Sequence, residues 1–201
     1  HLPYLPQSSQ HYKEWKVRAD SYTRLKKYLA KKGRGLNILE VGCGNGWLSH
    51  ALFKEGHNVT GVDLNMVELR QAQSTFGQHE GLKWIYADVL KDKMAGKFDI
   101  VLFSASIQYF PNIQKTIDAI LLLLESNGEI HLYDSIFYTP AEISAAHQRT
   151  VDYYTKLGFP EMEDYYYHHS TEALLKAGLS KMKARLFAPK QLLQWWILVR
   201  S

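Results

Sequence analysis

The sequence predicts an α/β fold, a three-layer α/β/α sandwich around a mostly parallel seven-stranded sheet whose last strand is antiparallel. Short apolar runs alternate with amphipathic segments between Leu36 and Tyr133, which is typical of parallel strands joined by helical crossovers. Two more apolar runs follow, at Lys181–Phe187 and Gln194–Val199. The residues between them are too few for a helical crossover, so these two strands should be antiparallel to each other.

The bulk composition is that of a globular protein in a reducing, cytoplasmic setting. Hydrophobic residues make up 46% and charged residues 22% of the 201 residues, and this length suits one domain with a sizeable core. The single cysteine, Cys43, excludes an internal disulfide. No secretory signal is visible, and the longest apolar run, near Ala119–Leu124, is far shorter than a membrane span. We therefore expect no membrane partner.

The net charge is mildly positive. Lys and Arg number 24 against 20 Asp and Glu, and the sequence pI is about 9.0. This balance permits an acidic or phosphorylated partner without requiring one, because the charges are spread along the chain. The local lysine cluster at 26–27 and 31–32 is expected to end a helix, and nucleic acid is not the expected partner.

The first predicted element is an amphipathic helix. Its apolar residues recur at steps of three and four, which places them on one face. The cations Lys31 and Lys32 followed by Gly33 are typical of a helix end. The apolar face consists of Tyr12, Trp15, Ala19, Tyr22, Leu25 and Leu29.

Five strands and three helices are then predicted in alternation. Asn65 and Glu68 resemble a helix N-cap with its reciprocal glutamate. Pro111 suits the first turn of the third helix, and Asn127-Gly128 should turn the chain into the fifth strand. The predicted strands are 36–41, 58–64, 82–87, 98–103 and 129–133, and the predicted helices are 47–55, 65–75 and 111–125.

The last third has a different pattern. Thr139, Pro140 and Glu142 have the types and spacing of a strong helix start, and that helix should reach Gly158. An aromatic stretch, Phe159–His169, and a short helix near 171–177 come before the final strands. We divide the predicted single domain into a helical cap at 1–33, a core at 34–135, a substrate or lid segment at 136–179 and a strand pair at 180–201.

A glycine-rich loop, Glu40-Val-Gly-Cys-Gly-Asn-Gly46, follows the first predicted strand. Glycines after a strand let the backbone approach a ligand closely. The dinucleotide pattern G-x-G-x-x-G would need a third glycine at position 47, where Trp47 stands. The chain also has no Gly-Lys-Ser/Thr triplet of the other common phosphate loop.

The loop, with acidic residues after the next two strands, resembles the class I S-adenosylmethionine-dependent methyltransferases. Asp63 ends the second predicted strand and Asp88 follows the third in "YADV". The segment Phe98–Phe110 is similar to the family's fourth strand and the turn after it. The resemblance implies S-adenosyl-L-methionine as cofactor, with Asp63 on the ribose hydroxyls and Asp88 on the adenine amino group.

The resemblance also implies a set of cofactor-binding residues on several elements. Cys43 is then a small loop residue rather than a nucleophile, and Asp63 binds ribose while Asn65 caps the helix. Tyr12 or Arg18 on the first helix would lie near the cofactor's carboxylate. The full set is Tyr12, Arg18, Glu40, Gly42, Cys43, Gly44, Asn45, Gly46, Asp63, Leu64, Asn65, Asp88, Val89, Phe103, Ser104, Ala105 and Gln108.

Four residues are candidates for catalysis on the acceptor side: Tyr109, Asp134, His168 and His169. An oxygen acceptor would need one of them to remove its proton, whereas a nitrogen acceptor would not. The tyrosines and histidines of 165–169 form either a substrate wall or an ordinary aromatic surface loop. No metal site is expected, because adjacent histidines diverge and no supporting spacing is present.

The resemblance favours a small-molecule methyl acceptor. The residues after the fourth strand, Ser104-Ala-Ser-Ile107, lack the Pro-Pro-aromatic pattern of enzymes that methylate base amino groups. The paired glutamates of protein arginine enzymes are also missing, and of the acidic metal ligands that catechol-type enzymes need at strands four and five only Asp134 is present. The alternatives are an RNA or protein methyltransferase, an NAD-dependent dehydrogenase, and a non-catalytic S-adenosylmethionine-binding protein.

Overall fold

The computed structural model describes residues 2–182 and 194–200, and its residue contacts divide it into two compact units, His1–Leu102 and Phe103–Ser201. The strand β4 (Phe98–Ser104) runs through the boundary between them. Most of the strand predicted at Lys181–Phe187 lies outside the described residues. The predicted single-domain organisation stays a prediction.

The first unit alternates strands and helices as the sequence predicted. Strand β1 pairs in parallel with β2, with Asn37 opposite Asn58, and β2 pairs in parallel with β3, with Val59 opposite Leu82. The elements are α1 (Tyr12–Lys32), β1 (Asn37–Val41), α2 (Trp47–Lys54), β2 (Asn58–Asp63), α3 (Met66–Phe76) and β3 (Leu82–Tyr86).

The second unit combines the end of the sheet with three α-helices and three 3-10 turns. Strand β7 is antiparallel to both β5 and β6, so the predicted antiparallel arrangement is confirmed. The elements are a 3-10 turn (Ile107–Tyr109), α4 (Ile113–Leu121), β5 (Leu124–Ser135), a 3-10 turn (Pro140–Glu142), α5 (Ile143–Leu157), a 3-10 turn (Pro160–Tyr165), α6 (Thr171–Lys176), β6 (Ser180–Lys181) and β7 (Gln194–Val199).

The strand order is β3-β2-β1-β4-β5-β7-β6, which confirms the predicted mostly parallel, seven-stranded α/β fold. The order of connection reverses beside β1. In open α/β sheets this reversal leaves a crevice outside the carboxyl ends of the strands, where ligands bind. The glycine loop begins there, directly after Val41.

Helix α1 packs its predicted apolar face into the first unit. Tyr22, Leu25 and Leu29 are buried, and the rings of Trp15 and Trp47 meet edge to face at 5.5 Å. The N–H of Gly33, whose φ is +120°, donates to the carbonyl of Leu29 and ends the helix as predicted. The packing fixes which side of α1 faces solvent.

Three local predictions were wrong. Pro111 comes before the cap of α4, since Asn112 accepts the N–H of Lys115, and α4 ends at Leu121 rather than near 125. Strand β5 already begins at Leu124, and it runs through Asn127, whose φ is +62°. An apolar run such as 119–124 does not distinguish helix from strand by itself.

The predicted cap of α3 was half right. Asn65 accepts the N–H groups of Val67 and Glu68, as a cap should. The reciprocal bond does not come from Glu68, because the N–H of Asn65 donates to Oδ1 of Asp63 at 2.8 Å. By contrast, the reciprocal pair of Thr139 and Glu142 is present before α5.

No helix within residues 2–182 and 194–200 is both long enough and apolar enough to cross a membrane.

Candidate cofactor and acceptor sites

The glycine loop is held by backbone hydrogen bonds at the carboxyl end of β2. The N–H groups of Gly42 and Cys43 both donate to the carbonyl of Val62, at 2.8 and 3.2 Å. Gly42, Gly44 and Gly46 all have positive φ values, of 73°, 52° and 75°. This left-handed backbone is strained for residues with a side chain, which explains why glycine occupies alternate positions.

Gly46 and Gly44 differ in what surrounds them. A Cβ added to Gly46 would collide with the Trp84 ring and lie 2.8 Å from Cβ of Ala72, so Gly46 is required for packing. A Cβ on Gly44 would meet only the flexible end of Glu68, with Oε2 at 3.0 Å. Of these two glycines, Gly44 is therefore the one whose backbone leaves space for a ligand.

Asp63 ties this open part of the loop to β2. Its Oδ2 accepts the N–H of Gly44 at 2.7 Å, and its Oδ1 accepts the N–H of Asn65 at 2.8 Å. Each carboxylate oxygen has two lone pairs, so the group keeps capacity for two further donors. The predicted contact of Asp63 with two ribose hydroxyls is compatible with this spare capacity and stays a prediction.

Glu68 was predicted only as a cap, and the structure gives it a different place. Its half-buried carboxylate lies over Gly44. Burial raises the pKa of Glu68, and the nearby charge of Asp63 raises it further. Two carboxylates of like charge at one loop favour a positively charged ligand. The position of Glu68 in the first turn of α3, five residues after Asp63, could have predicted that its carboxylate lies near the glycine loop.

Glu40, in β1 just before the loop, is buried. The hydroxyl of Ser49 donates to its carboxyl group, which joins the end of β1 to α2. Burial raises the pKa of Glu40 to about 8, against the opposing effect of the Ser49 bond, with a further increase from Asp63. The predicted contact of Glu40 with the cofactor stays a prediction.

Cys43 is buried, and burial raises the pKa of its thiol far above the usual range, with smaller contributions from Glu40 and Asp63. A thiolate nucleophile needs a lowered pKa. Cys43 thus fits the interpretation of a small packing residue. Cys43 packs closely against Gly61 in β2, because a Cβ added to Gly61 would lie 2.9 Å from the Cys43 sulfur.

Asp88 follows β3 as predicted, in a turn that it stabilises. Its Oδ1 accepts the N–H of Leu90 at 3.0 Å, and Lys91 lies 2.8 Å from its Oδ2 and lowers its pKa. Apolar side chains are exposed nearby, with Leu64 59% and Tyr86 56% accessible, and Val89 is buried. The exposed side chains of Leu64 and Tyr86 beside the Asp88 carboxylate suit a flat aromatic ring with polar atoms at its edge.

Arg18 on α1 is already engaged. It lies 3.4 Å from Glu14 and 5.5 Å from the centre of the Trp15 ring, while Tyr12 is half-buried at the start of the helix. The predicted contact of either side chain with a ligand carboxylate stays a prediction.

In the second unit, two residues near the ends of the neighbouring strands β4 and β5 have strained backbones. Ala105 and Asp134 both have φ of +51°, and the N–H of Ala105 donates to the carbonyl of Tyr133 at 2.8 Å. Positive φ is uncommon for residues other than glycine, and it concentrates at functional sites. Asp134 is buried, while Phe103 is buried and Ser104 half-buried at the end of β4.

His169 is in a buried environment and connects its own segment to the turn after β4. It is buried, and because a carbonyl only accepts, its Nε2–H donates to the carbonyl of Ile107 at 3.2 Å. Burial lowers the pKa of His169. The N–H of Tyr167 donates to the carbonyl of Gln108 at 2.7 Å, and the Gln108 amide donates back to Ala105. The segment 167–169 is thus tied to the turn after β4.

His168 lies in a different environment, a half-buried group of aromatic rings that we call the tyrosine–histidine cluster. Its Nε2 lies 2.9 Å from the hydroxyl of Thr150, a residue that the sequence did not single out. Burial lowers the pKa of His168, and His147 lowers it further. The cluster consists of Tyr109, Tyr138, His147, Tyr154, Tyr166 and His168, with successive ring centres 5.2–6.3 Å apart.

Tyr154 and Tyr166 of the cluster remain protonated at neutral pH. Burial raises the pKa of both Tyr154 and Tyr166 to about 12, with further contributions from their tyrosine neighbours. Tyr109 is 49% exposed and hydrogen-bonds to Tyr154. Across residues 2–182 and 194–200, no three His, Cys, Asp or Glu side chains are grouped as a metal site would require.

Residues 38–128 match the family model described as a methyltransferase domain. This match covers the glycine loop, Asp63 and Asp88, which are the residues that carry the resemblance. The matched part of the chain is therefore similar to a methyltransferase domain, as the glycine loop predicted.

Curated methyltransferases resemble part of the chain. The ubiquinone biosynthesis O-methyltransferase of Dechloromonas aromatica is 34% identical over 101 residues, which cover 49% of this chain and 44% of that protein. The enzyme of the same name from Pseudomonas aeruginosa strain UCBPP-PA14 is 32% identical over 101 residues, with the same coverage. The chain thus spans less than half the length of these relatives.

Solved structures share the methyltransferase fold over almost the whole chain. The magnesium protoporphyrin IX methyltransferase of Synechocystis with bound S-adenosylhomocysteine has a TM-score of 0.67 at 19% identity, covering 98% of this chain and 90% of that one. The N-methyltransferase NodS of Bradyrhizobium japonicum has a TM-score of 0.61 at 15% identity, covering 90% and 93%. At these identities the likeness is one of fold.

Proposed function

We propose that the protein transfers a methyl group from S-adenosyl-L-methionine to an oxygen of a small-molecule acceptor. The observation that carries the proposal is the bond between the Gly44 N–H and Asp63, which places an open glycine backbone beside a carboxylate with unused acceptor capacity. A nitrogen acceptor stays the alternative.

The residues of the first unit fit the cofactor. Asp63 would accept the ribose hydroxyls, the edge formed by Asp88, Leu64 and Tyr86 would hold the adenine, and the first N–H groups of α2 would face the amino-acid carboxylate. The carboxylates of Asp63 and Glu68 suit a ligand with net positive charge. When bound, the cofactor supplies a methyl carbon activated by a positively charged sulfur.

The tyrosine–histidine cluster is our candidate for the acceptor site. Its ring faces suit an aromatic acceptor, and Tyr109 is 49% exposed. We assign His168 as the general base. In the tautomer of His168 that carries the proton on Nε2, Thr150 accepts that N–H, and Nδ1 is left to take the proton of an acceptor hydroxyl.

An oxygen acceptor is favoured by two facts. The lowered pKa of His168 keeps its imidazole neutral near pH 7, and a hydroxyl acceptor needs such a base. The curated relatives named above are O-methyltransferases of ubiquinone biosynthesis. His169 and Asp134 are buried, so we reassign them from catalysis to positioning of the turns after β4 and β5.

Titration with S-adenosylhomocysteine, with NADH as control, tests the cofactor. Saturation at 100 times the dissociation constant stabilises a protein by about 2.7 kcal/mol, which raises Tm by about 5–10 °C for a chain of this size. An equal response to NADH, or none to S-adenosylhomocysteine, would contradict the cofactor assignment.

A second experiment tests the acceptor. Release of S-adenosylhomocysteine is measured with phenols, catechols, carboxylic acids and amines, at several pH values. Turnover with hydroxyl compounds alone supports the proposal. Turnover with amines alone would favour the nitrogen alternative, and binding of cofactor without any turnover would indicate a binding protein.

A further inference from the structure

The positive charge of the protein is concentrated in one helix. Helix α1 contains eight of the 24 basic residues but two of the 20 acidic ones, Glu14 and Asp20. Its net charge is therefore +6, against +4 for the whole chain, so the rest of the chain carries −2. Apart from the predicted contact of Arg18 with the cofactor's carboxylate, the proposed methyl transfer uses none of this charge.

Five of these cations share one face of α1, and we call them the basic stripe. They are Lys13, Lys16, Arg24, Lys27 and Lys31. At 100° and 1.5 Å per residue, they fall within an arc of about 80° and extend over about 27 Å along the helix. Asp20 is the single acidic residue within that arc. The cations therefore form two groups along one line, Lys13 with Lys16 and Arg24 with Lys27 and Lys31, on either side of Asp20.

The basic stripe lies opposite the face that α1 buries. Ala19, Tyr22, Leu25 and Leu29 point into the first unit, and the same helical geometry places them about 180° from the stripe. The four lysines of the stripe are exposed, and Arg24 donates to Ser21.

The ion pairs of α1 lie on the side of the helix away from the stripe. Lys26 binds Glu55 at 2.6 Å, and Arg18 binds Glu14 at 3.4 Å. Among the residues that the structure describes, no cation of the basic stripe forms an ion pair. The fold therefore uses cations outside the stripe and leaves the stripe to solvent or to a partner.

We propose that the basic stripe docks the protein on an anionic lipid surface. A straight line of exposed lysines on the outside of a helix can meet a flat layer of negative headgroups along its whole length. The contact is peripheral and needs no membrane span. It replaces the expectation, drawn from composition alone, that the protein has no membrane partner.

Other polyanions fit the stripe less well. Single-stranded nucleic acid is usually held on exposed aromatic platforms, and the stripe contains no aromatic residue. Protein interfaces are depleted of lysine at their centres, where apolar side chains dominate, and the apolar face of α1 is buried in the fold. Lysine is a point charge that suits diffuse attraction, whereas bidentate phosphate recognition uses arginine.

The test is co-sedimentation of the protein with phosphatidylcholine vesicles, with and without phosphatidylglycerol, at low and high salt. We expect binding only with phosphatidylglycerol, and weaker binding at high salt. A variant with Lys13→Gln, Lys16→Gln, Lys27→Gln and Lys31→Gln should bind about fivefold more weakly for each charge removed.

A matched control removes the same charge elsewhere. Lys54→Gln, Lys115→Gln, Lys156→Gln and Lys176→Gln change four exposed lysines outside α1. This variant should keep most of the vesicle binding, and replacing the four stripe lysines by arginine should keep it as well. A thermal shift with S-adenosylhomocysteine checks that each variant is folded.

Three results would overturn the proposal. The first is no sedimentation of the unmodified protein with phosphatidylglycerol vesicles. The second is an equal loss of binding in the stripe and control variants, which would show that only net charge matters. The third is salt-sensitive binding to poly(U) RNA in place of the vesicles.

Discussion

The backbone N–H of Gly44 donates to the carboxylate of Asp63 at 2.7 Å, so the residue that shapes the glycine loop is also the residue proposed to bind the ribose. The bond joins the turn after β1 to the end of β2. Loop shape and ligand recognition therefore depend on one side chain.

Replacing Asp63 should thus affect both properties. We expect Asp63→Ala to weaken S-adenosylhomocysteine binding by at least about 100-fold, because two hydrogen bonds to a charged group are lost. Calorimetric titration measures the change. Asp99→Asn is the matched control, since Asp99 accepts the N–H of Asn37 at the start of β1 and should change stability without changing affinity. Unchanged binding in Asp63→Ala would refute the ribose assignment.

Gly46 and Gly44 should respond differently to alanine. Gly46→Ala forces a methyl group against Trp84 and Ala72 at positive φ, and we expect a loss of about 2–4 kcal/mol in the free energy of unfolding. Gly44→Ala meets only the flexible end of Glu68, so its loss of stability should be smaller and its loss of cofactor affinity larger. Urea unfolding and calorimetry separate the two. Equal effects on stability would contradict this division of roles.

The buried carboxyl of Glu40 should make stability depend on pH. Its pKa is raised to about 8 in the folded protein from 4.5, so the folded state binds more protons between these values. The contribution of Glu40 to stability is therefore fully present below about pH 4.5 and is lost as the pH rises through 8. Glu40→Gln should reduce the fall in Tm between pH 6 and 9 relative to the unmodified protein. The same pH profile in both proteins would show that Glu40 does not titrate in this range.

The assignment of His168 as base predicts a pH-dependent rate. Because the pKa of His168 is lowered from its usual value of 6.5, the imidazole is still neutral at pH 6.5. The rate should therefore fall only as the pH drops through the lowered pKa. His168→Gln should reduce kcat by about 10²–10⁴-fold with a smaller effect on KM, and the acid limb of the profile should vanish. His169→Gln serves as the comparison, because its effect should be on stability. An intact acid limb in His168→Gln would exclude this residue as the base.

Several features of the site were readable from the sequence because they are local. The E-x-G-x-G-x-G spacing, the acidic residue at the end of β2 and the alternation of strands and helices depend on neighbouring residues. The antiparallel β7 followed from the shortness of the connection before it. The boundary between α4 and β5 was predicted wrongly, because the run 119–124 is apolar throughout and does not show where the helix ends and the strand begins.

The sequence alone determined the order of the elements and the class of loop, since hydrophobic periodicity and backbone requirements of glycine are written in short stretches of chain. Tertiary structure decided the position and the hydrogen-bond partners of each carboxyl group near the loop. Glu40 is buried against Ser49, Asp63 braces Gly44, and Glu68 lies above the loop, although all three are acidic residues near one loop. Their burial and pKa depend on groups brought together from distant positions, and folding alone sets those distances.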